Sequence, residues 1–359
     1  MRVLVVNVGS STVKLSLVGP GGAVIAAVEP AVAVPAAELA AAAAGLGAAD
    51  AAGHRIVHGG RRPAQATRVD AEVRRELEAL TPLAPLHQPA ALAALDALGE
   101  ALPELPGYAC FDTGFHSTLS AAASTYAVPR AWREDLGLRR YGFHGLSHAD
   151  AARVAAGLLD RPLDELRLVT AHLGAGASLA AVRAGASVDT TMGFTPLEGL
   201  VMATRAGSVD PGALLWVLRH GGLDADGLER ALLHGSGLAG LADTADMREI
   251  LARGDADAEL ARDVYVHRLR AGVAAMAAAM DGLDALVFTG GVGEHAAAVR
   301  AAAVAGLGFL GLGIDPDRNA AGPADRAIGA AGARAATLVA HAREDREIAR
   351  QVRAAVAQP

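Results

Sequence analysis

Apolar runs broken by small residues divide the chain into a repeated order of strands. Residues 2–8 (RVLVVNV) are too short for a buried helix and predict a buried strand. Gly9-Ser10-Ser11 predicts a tight turn, Lys14 to Val18 a returning strand, and Val24 to Val28 a third strand after Pro20-Gly21-Gly22. The same order recurs at 166–192 as LRLVTAH, Leu173-Gly174-Ala175-Gly176-Ala177, SLAAVRAG and ASVDTTM, so a distant duplication is expected. Between the copies, periodicity predicts helices at about 70–80 and 89–98, and one capped by Ser147 with Asp150 completing a capping box. Tyr108 to Phe111 reads as a strand ending in Asp112. Beyond the second copy, helices are expected near 210–220, 224–234 and 255–281. A strand, Ala285 to Thr289, then delivers Gly290-Gly291-Val292-Gly293-Glu294 into a helix, and a last helix runs from about Glu344 to Ala357. Two such meanders flanking a cleft would hold a nucleotide at their turns.

Composition narrows the function classes. With 359 residues, 52% hydrophobic and 20% charged, the chain has material for two domains or one large α/β unit and none of the polar excess of disorder. The hydrophobicity is largely alanine, as in Ala40 to Ala44, and no stretch predicts a membrane span. The opening residues turn polar at Asn7, too early for a signal sequence, so a cytosolic protein is expected. One cysteine, Cys110, permits neither an internal disulfide nor a structural zinc site, and a net charge of −7 argues against a general nucleic-acid binder. Of 32 Lys plus Arg only Lys14 is lysine, and only Asn7 and Asn319 are asparagine. In a background so averse to both types, Lys14 and Asn7, seven positions apart, point to chemistry that a planar guanidinium cannot replace.

The turn N-V-G-S-S-T-V-K puts small residues where backbone N–H groups and hydroxyls can meet phosphate oxygens, with Asn7 and Lys14 reaching in from adjacent strands. It is not a Walker A loop, since Val13 stands where glycine should precede the lysine, and Ile56 after His54-Arg55 excludes a protein-kinase catalytic loop. Gly306, Gly308 and Gly311 fit G-x-G-x-x-G but follow a helix-like stretch and open no βαβ unit. His144 and His148 are four apart with Gly145 between them and no evident third ligand, so zinc is not expected. Dense islands, HRIVHGG (54–60), LAPLHQP (83–89), FDTGFH (111–116), YGFHGLSH (141–148) and GFTPLEGLVMATRAGSVDPG (193–212), hold four of the six phenylalanines and suggest a lined pocket. Arg55 and Arg205 lie in glycine-containing polar sequence, not on charged helix faces, and are the arginines best placed to clamp a phosphoryl group.

N-V-G-S-S-T-V-K resembles the first signature of the acetate kinases and YGFHGLSHADAARVAA their second. The order of the remaining islands, through HLGAG, SGLAGL, DMR and FTGGVGEH, is similar to that family along essentially the whole chain. The resemblance implies an α/β, duplicated actin-like, ribonuclease-H-like ATPase (ASKHA) fold, two lobes with an interdomain active-site cleft, divided as 1–113 plus 343–359 and 114–342. It implies reversible transfer of the ATP γ-phosphoryl to acetate with Mg²⁺ (or Mn²⁺), in a cytoplasmic homodimer. By the same resemblance, Asp112, His144, Arg205 and Arg55 would be catalytic, with Asp112 as acid/base or positioning carboxylate and Arg55 also binding substrate. Val57, Leu86, Phe143 and Pro196 would line the acyl pocket. Lys14, His172, Leu173, Gly174, Ala175, Gly176, Asp246, Met247, Arg248, Gly291, Val292, Gly293, Glu294 and His295 would hold the nucleotide, and Asn7 and Glu344 would face the metal. Such chemistry needs little proton transfer, because a carboxylate is already ionised at neutral pH; positioning and charge neutralisation suffice.

The chain departs from the family pattern at Ala175, in H-L-G-A-G where H-L-G-N-G is usual, at His295 where Asn is common, and at Ala340-His341-Ala342-Arg343 in place of a Thr-Asn segment. It is also shorter, chiefly between the first meander and His54. Propionate or butyrate kinase activity, and a nucleotide-binding relative with weakened catalysis, stay open as alternatives.

Overall fold

Two six-stranded mixed sheets carry the chain in a computed structural model that describes residues 1–9, 13–30, 35–62, 65–85, 87–322 and 325–357. The first contains β1 (Val3–Val8), β2 (Val13–Val18), β3 (Val24–Val28), β4 (Ala51–Ile56), β5 (Thr67–Arg68) and β6 (Gly107–Phe111) in the order β3-β2-β1-β4-β6-β5. The second contains β7 (Arg167–Leu173), β8 (Ala177–Arg183), β9 (Ala186–Thr190), β10 (Ala285–Thr289), β11 (Arg326–Ala327) and β12 (Ala336–Val339) in the order β11-β12-β10-β7-β8-β9. Read from opposite ends, the two orders correspond strand for strand. Each has an antiparallel hairpin (β1–β2, β7–β8), two parallel pairings (β1–β4 and β4–β6, β7–β10 and β10–β12) and a short antiparallel edge strand. Even the register shift recurs, at Leu17/Val18 and at Ala181/Val182. The duplicated α/β architecture expected from the repeat is therefore present.

The chain forms two units, one of residues 1–118, 143–150 and 343–359, the other of 119–142 and 151–342. In the first, side-chain alternation sorts β1 into two faces. Leu4, Val6 and Val8 pack with Leu39, Ala43, Leu92, Leu95 and Leu98 from the helices Ala36–Gly45 and Gln88–Ala101. Val3 and Val5 pack with Ile348, Ala349 and Val352 of the helix Glu344–Ala357. That helix lies so close that a Cβ on Gly53 would come 2.6 Å from Ile348 Cγ2, and only glycine fits there. The alanine-rich run at 40–44 thus belongs to a helix that packs on the core through Leu39 and Ala43 and leaves its other face exposed. In the second unit the helix Ala256–Ala278 buries Ala258, Ala261, Tyr265, Leu269, Val273 and Met276, a stripe at three- and four-residue spacing that covers one face.

The helices expected near 210–220, 224–234 and 255–281 are present as Pro211–His220, Ala225–His234 and Ala256–Ala278, and Asp210, Asp224 and Asp255 each accept a backbone N–H from the first turn that follows. Ser147 departs from expectation. The helix Gly145–Leu159 begins two residues earlier, with Gly145 N donating to Asp112 O at 2.8 Å, so Ser147 lies inside the first turn and does not cap it. Gly290 opens a short helix, Gly290–His295, directly after β10. Strand β4 and the helix Ala36–Gly45 carried no clear periodic signal.

Candidate active site

In the first unit, the face of the sheet that meets the helix Glu344–Ala357 is apolar along the strands and polar at their carboxyl ends. The series Val3, Val5, Asn7 on β1, Ala51, Gly53, Arg55 on β4 and Tyr108, Cys110, Asp112 on and just past β6 all obey the two-residue period. Parallel pairing of β1 with β4 and of β4 with β6 brings the three polar members together. Carboxyl ends of parallel strands are the usual place for ligands in open α/β sheets.

Arg55 is the hub. Its Nε donates to both Asp112 oxygens at 3.1 and 3.2 Å, its NH2 group to Asp112 Oδ2 at 2.7 Å, and its NH1 group to Asn7 Oδ1 at 3.0 Å. Glu344, first residue of its helix, accepts from Asn7 Nδ2 at 2.8 Å and lies 3.3 Å from Arg55 NH1. Burial opposes the Arg55 charge, but Asp112 and Glu344 outweigh it and hold the guanidinium above its usual range. Burial also pulls the Asp112 carboxyl upward against Arg55, with Glu344 adding like-charge repulsion. Both Asp112 oxygens are therefore committed to orienting Arg55. Lys14 stands opposite Asn7 on β2 and pairs with Asp345 Oδ2 at 3.3 Å.

His144 has φ of +57°, a left-handed backbone uncommon for a side chain of its kind. It precedes Gly145, where a Cβ would stand 2.3 Å from Asp112 O, so the backbone carrying His144 is docked directly on the residue that holds Arg55. Behind it is a wall of buried histidines. The rings of His144 and His148 are 6.5 Å apart and those of His116 and His148 5.7 Å, while His116 Nε2 lies 3.0 Å from Phe143 O. Phe143 is buried edge-on against His58, and Val57 is buried beside it in sequence. His58, His116, His148 and Asp345 were not singled out in the sequence as site residues; their islands were, but nothing in the residue order showed that three histidines share one wall. Ser10, Ser11 and Leu86 lie outside the described residues.

In the second unit the turn after β7, closed by Gly174 N donating to Gly176 O at 2.9 Å, opens onto a pocket of about 730 Å³. Gly174, Ala175, Asp246, Met247, Arg248, Gly291, Val292 and His295 line it, together with Ala203, Leu238, Ala245, Leu251, Tyr265 and Ala296, which the sequence did not single out. The Tyr265 hydroxyl has no hydrogen-bond partner among the described residues. His172, Leu173, Gly176, Gly293 and Glu294 are not among the lining residues. Leu173 and Glu294 are buried, and Glu294 accepts from Ala342 N at 2.9 Å and pairs with His341 Nδ1. Asp246 caps the helix Met247–Ala252 and pairs with Arg248 at 2.5 Å. Those bonds to Arg248 hold the Asp246 carboxyl down to about 2.

The loop at 193–208, also in this unit, is pinned by Glu198, which accepts from Tyr126 at 2.5 Å and from Arg140 at 2.7 Å. Arg205 donates to Pro196 O at 2.9 Å and, among the described residues, has no carboxylate partner. Burial alone lowers its pKa, so it is a partly desolvated cation without a counter-ion, the reverse of Arg55.

Among the described residues, Asn7 and Glu344 offer a metal oxygen donors. The Asn7 amide oxygen and the Glu344 carboxylate are hard donors of the type Mg²⁺ accepts, and Mg²⁺ completes its shell with water and phosphate in place of a closed protein cage. No cluster of three His, Cys, Asp or Glu arranged for a metal occurs among the described residues. The donor set thus fits Mg²⁺ shared with a phosphate ligand.

Comparison with known proteins shows the family. The family model described as the acetokinase family matches residues 23–350. The chain is 54% identical over 301 residues to an acetate kinase of a Synechococcus species, covering 83% of this chain and 74% of that one. Among solved structures it is similar to an acetate kinase of Porphyromonas gingivalis, with a TM-score of 0.90, 34% identity and 99% of each chain covered. It is also similar to a propionate kinase of Francisella tularensis, with a TM-score of 0.89, 32% identity and 98% of each chain covered.

Proposed function

The chain belongs to the acetokinase family, and from that premise we propose that it transfers the γ-phosphoryl group of ATP to acetate, reversibly, giving acetyl phosphate and ADP. It is a phosphotransferase with a carboxyl acceptor. The observation that carries the mechanism is the Arg55 hub: three of its bonds orient it through Asp112 and one through Asn7, and a guanidinium has five N–H donors, so donor capacity is left for a carboxylate or phosphoryl oxygen. Acetate arrives ionised and needs no general base; Asp112 serves as a positioning residue. Val57 and Phe143 are the apolar side chains we assign to the acyl methyl, with Leu86 and Pro196 as further expected lining.

Arg205, having no counter-ion among the described residues, is the cation we assign to charge on the transferring group, with His144 as a second donor. Lys14 is assigned to the nucleotide phosphates. The second-unit pocket is assigned to the nucleoside, with Gly174, Ala175, Gly291 and Val292 offering backbone and small surfaces and Asp246 a carboxylate. Asn7 and Glu344 would hold Mg²⁺, which when bound neutralises phosphate charge. The domain division we propose is the expected lobe of 1–113 plus 343–359 and lobe of 114–342, except that 114–118 and 143–150, the latter carrying Phe143 and His144, belong with the first as its compact unit has them.

Among the described residues no helix is long and apolar enough to cross a membrane, and we read the chain as cytoplasmic. Exposed Leu215, Trp216 and Leu223, on and just past the helix Pro211–His220, favour a homodimer that covers them. The similarity to a propionate kinase keeps propionate as a second acceptor, since one methylene is worth only about 1–3 kcal/mol of discrimination. The test is trapping of acyl phosphate as its hydroxamate with MgATP and acetate, propionate or butyrate. Acetate is expected to react with the highest kcat/KM; no product with any of the three would overturn the proposal.

A further inference from the structure

Arg300 is 1% exposed and has no carboxylate partner among the described residues. Burying a cation without a counter-charge is costly, and an apolar residue of like size would serve stability better. Its four hydrogen bonds all go to oxygens of two segments. Its NH1 group donates to Gly293 O and Glu294 O, both at 2.8 Å, its Nε to Asn319 Oδ1 at 2.7 Å and its NH2 group to Asn319 O at 2.7 Å. Asn319 Nδ2 in turn donates to Ala297 O at 2.9 Å. Burial and the nearby Arg326 lower the Arg300 pKa to about 10, which still leaves it charged at neutral pH.

The carbonyls it holds close the helix Gly290–His295, whose Gly291, Val292 and His295 line the second-unit pocket. Six residues make a helix too short to persist on its own, and its last carbonyls need outside donors. Asn319 is one of two asparagines in a chain that otherwise excludes the residue, and the assigned chemistry uses only the other, Asn7. We infer that Arg300, oriented by Asn319, is a positioning residue for nucleotide binding: it fixes the Gly290–His295 helix from behind and so sets the pocket wall. This rests on the reading of that pocket as the nucleotide site.

The experiment is calorimetric titration of MgATP into the full chain and its variants, with acetate KM measured in parallel. Asn319→Ala should weaken ATP binding about tenfold while acetate KM stays within about twofold. Asn319→Asp keeps the acceptor for Arg300 Nε and should recover most of the loss, a rescue that a general loss of stability would not show. If Asn319→Ala does not fold, Arg300→Lys is read the same way, since its ammonium keeps the charge but cannot span Gly293, Glu294 and Asn319 together. Wild-type ATP affinity in the folded variant, or equal losses for ATP and acetate, would overturn the inference. A wild type that binds no ATP would instead overturn the pocket reading beneath it.

Discussion

Gly145→Ala tests whether the contact between Gly145 and Asp112 sets the catalytic geometry. A Cβ at 145 would lie 2.3 Å from Asp112 O and 2.8 Å from Phe115 Cβ, whereas real Cβ atoms essentially never come within 3.0 Å of another heavy atom. The two backbones must then part by roughly 0.7 Å, the difference of those distances, or lose the 2.8 Å bond from Gly145 N to Asp112 O. Asp112 carries Arg55, and His144 precedes the new methyl, so both sides of the site move. Overpacking of this kind costs about 1–3 kcal/mol of stability, and a displacement approaching 1 Å at reacting groups costs on the order of 100-fold in rate. The assay is kcat for acyl hydroxamate formation beside a thermal melt. Gly157→Ala, in the same helix with nothing within 4 Å of its added methyl, is the control and should gain stability without losing rate. A Gly145→Ala enzyme with kcat within about twofold of wild type would refute the reasoning, because the overlap would have been absorbed without moving the site.

Arg205→Ala should lower kcat on the order of 1,000-fold with little change in acetate KM, and an unchanged kcat would remove Arg205 from the transition state. Asp112→Asn should cost on the order of 3 kcal/mol in urea denaturation, since it strips a buried guanidinium of one of its two carboxylates; an unchanged midpoint would mean that Glu344 alone suffices. His54, lowered by burial from 6.5 to about 4, is neutral in both folded and unfolded chains above pH 6.5. As pH falls from 6.5 toward 4, the unfolded chain gains a proton that the folded one refuses, so stability drops by up to about 3 kcal/mol. His54→Gln should flatten the melting temperature over that window, and an equally steep fall in the variant would assign the loss elsewhere.

Much of the architecture was legible in the residue order, because buried strands such as β1 and β7 are mostly apolar and the two small-residue turns mark the duplication. What could not be read were contacts that join distant positions. Asn7 and Lys14 stood out by their rarity, yet nothing in the residue order says that Asn7 meets Glu344 while Lys14 meets the adjacent Asp345. The Ser147 cap failed for a tertiary reason: Asp112 O takes the Gly145 N–H and starts the helix early. Tyr265 was hidden on a helix stripe that any core residue could occupy. Asn319 carried the same rarity signal as Asn7, but its use depends on an arginine in a different helix.

The helix Glu344–Ala357 has a bearing on how the protein is made. Its Ile348, Ala349 and Val352 cover one face of a sheet whose strands end at Phe111, and its Arg353 binds the carbonyls of Met1, Val18 and Gly19. A ribosome must therefore synthesise residues 112–343 while that face stays open, on the order of ten to fifty seconds at ordinary elongation rates. During this interval Val3, Val5 and Cys110 are exposed, and an uncovered apolar sheet face of this kind invites chaperone binding or misassembly. Translation order makes the earliest-born sheet the last to be sealed, and a premature stop before codon 344 would leave it permanently without its cover.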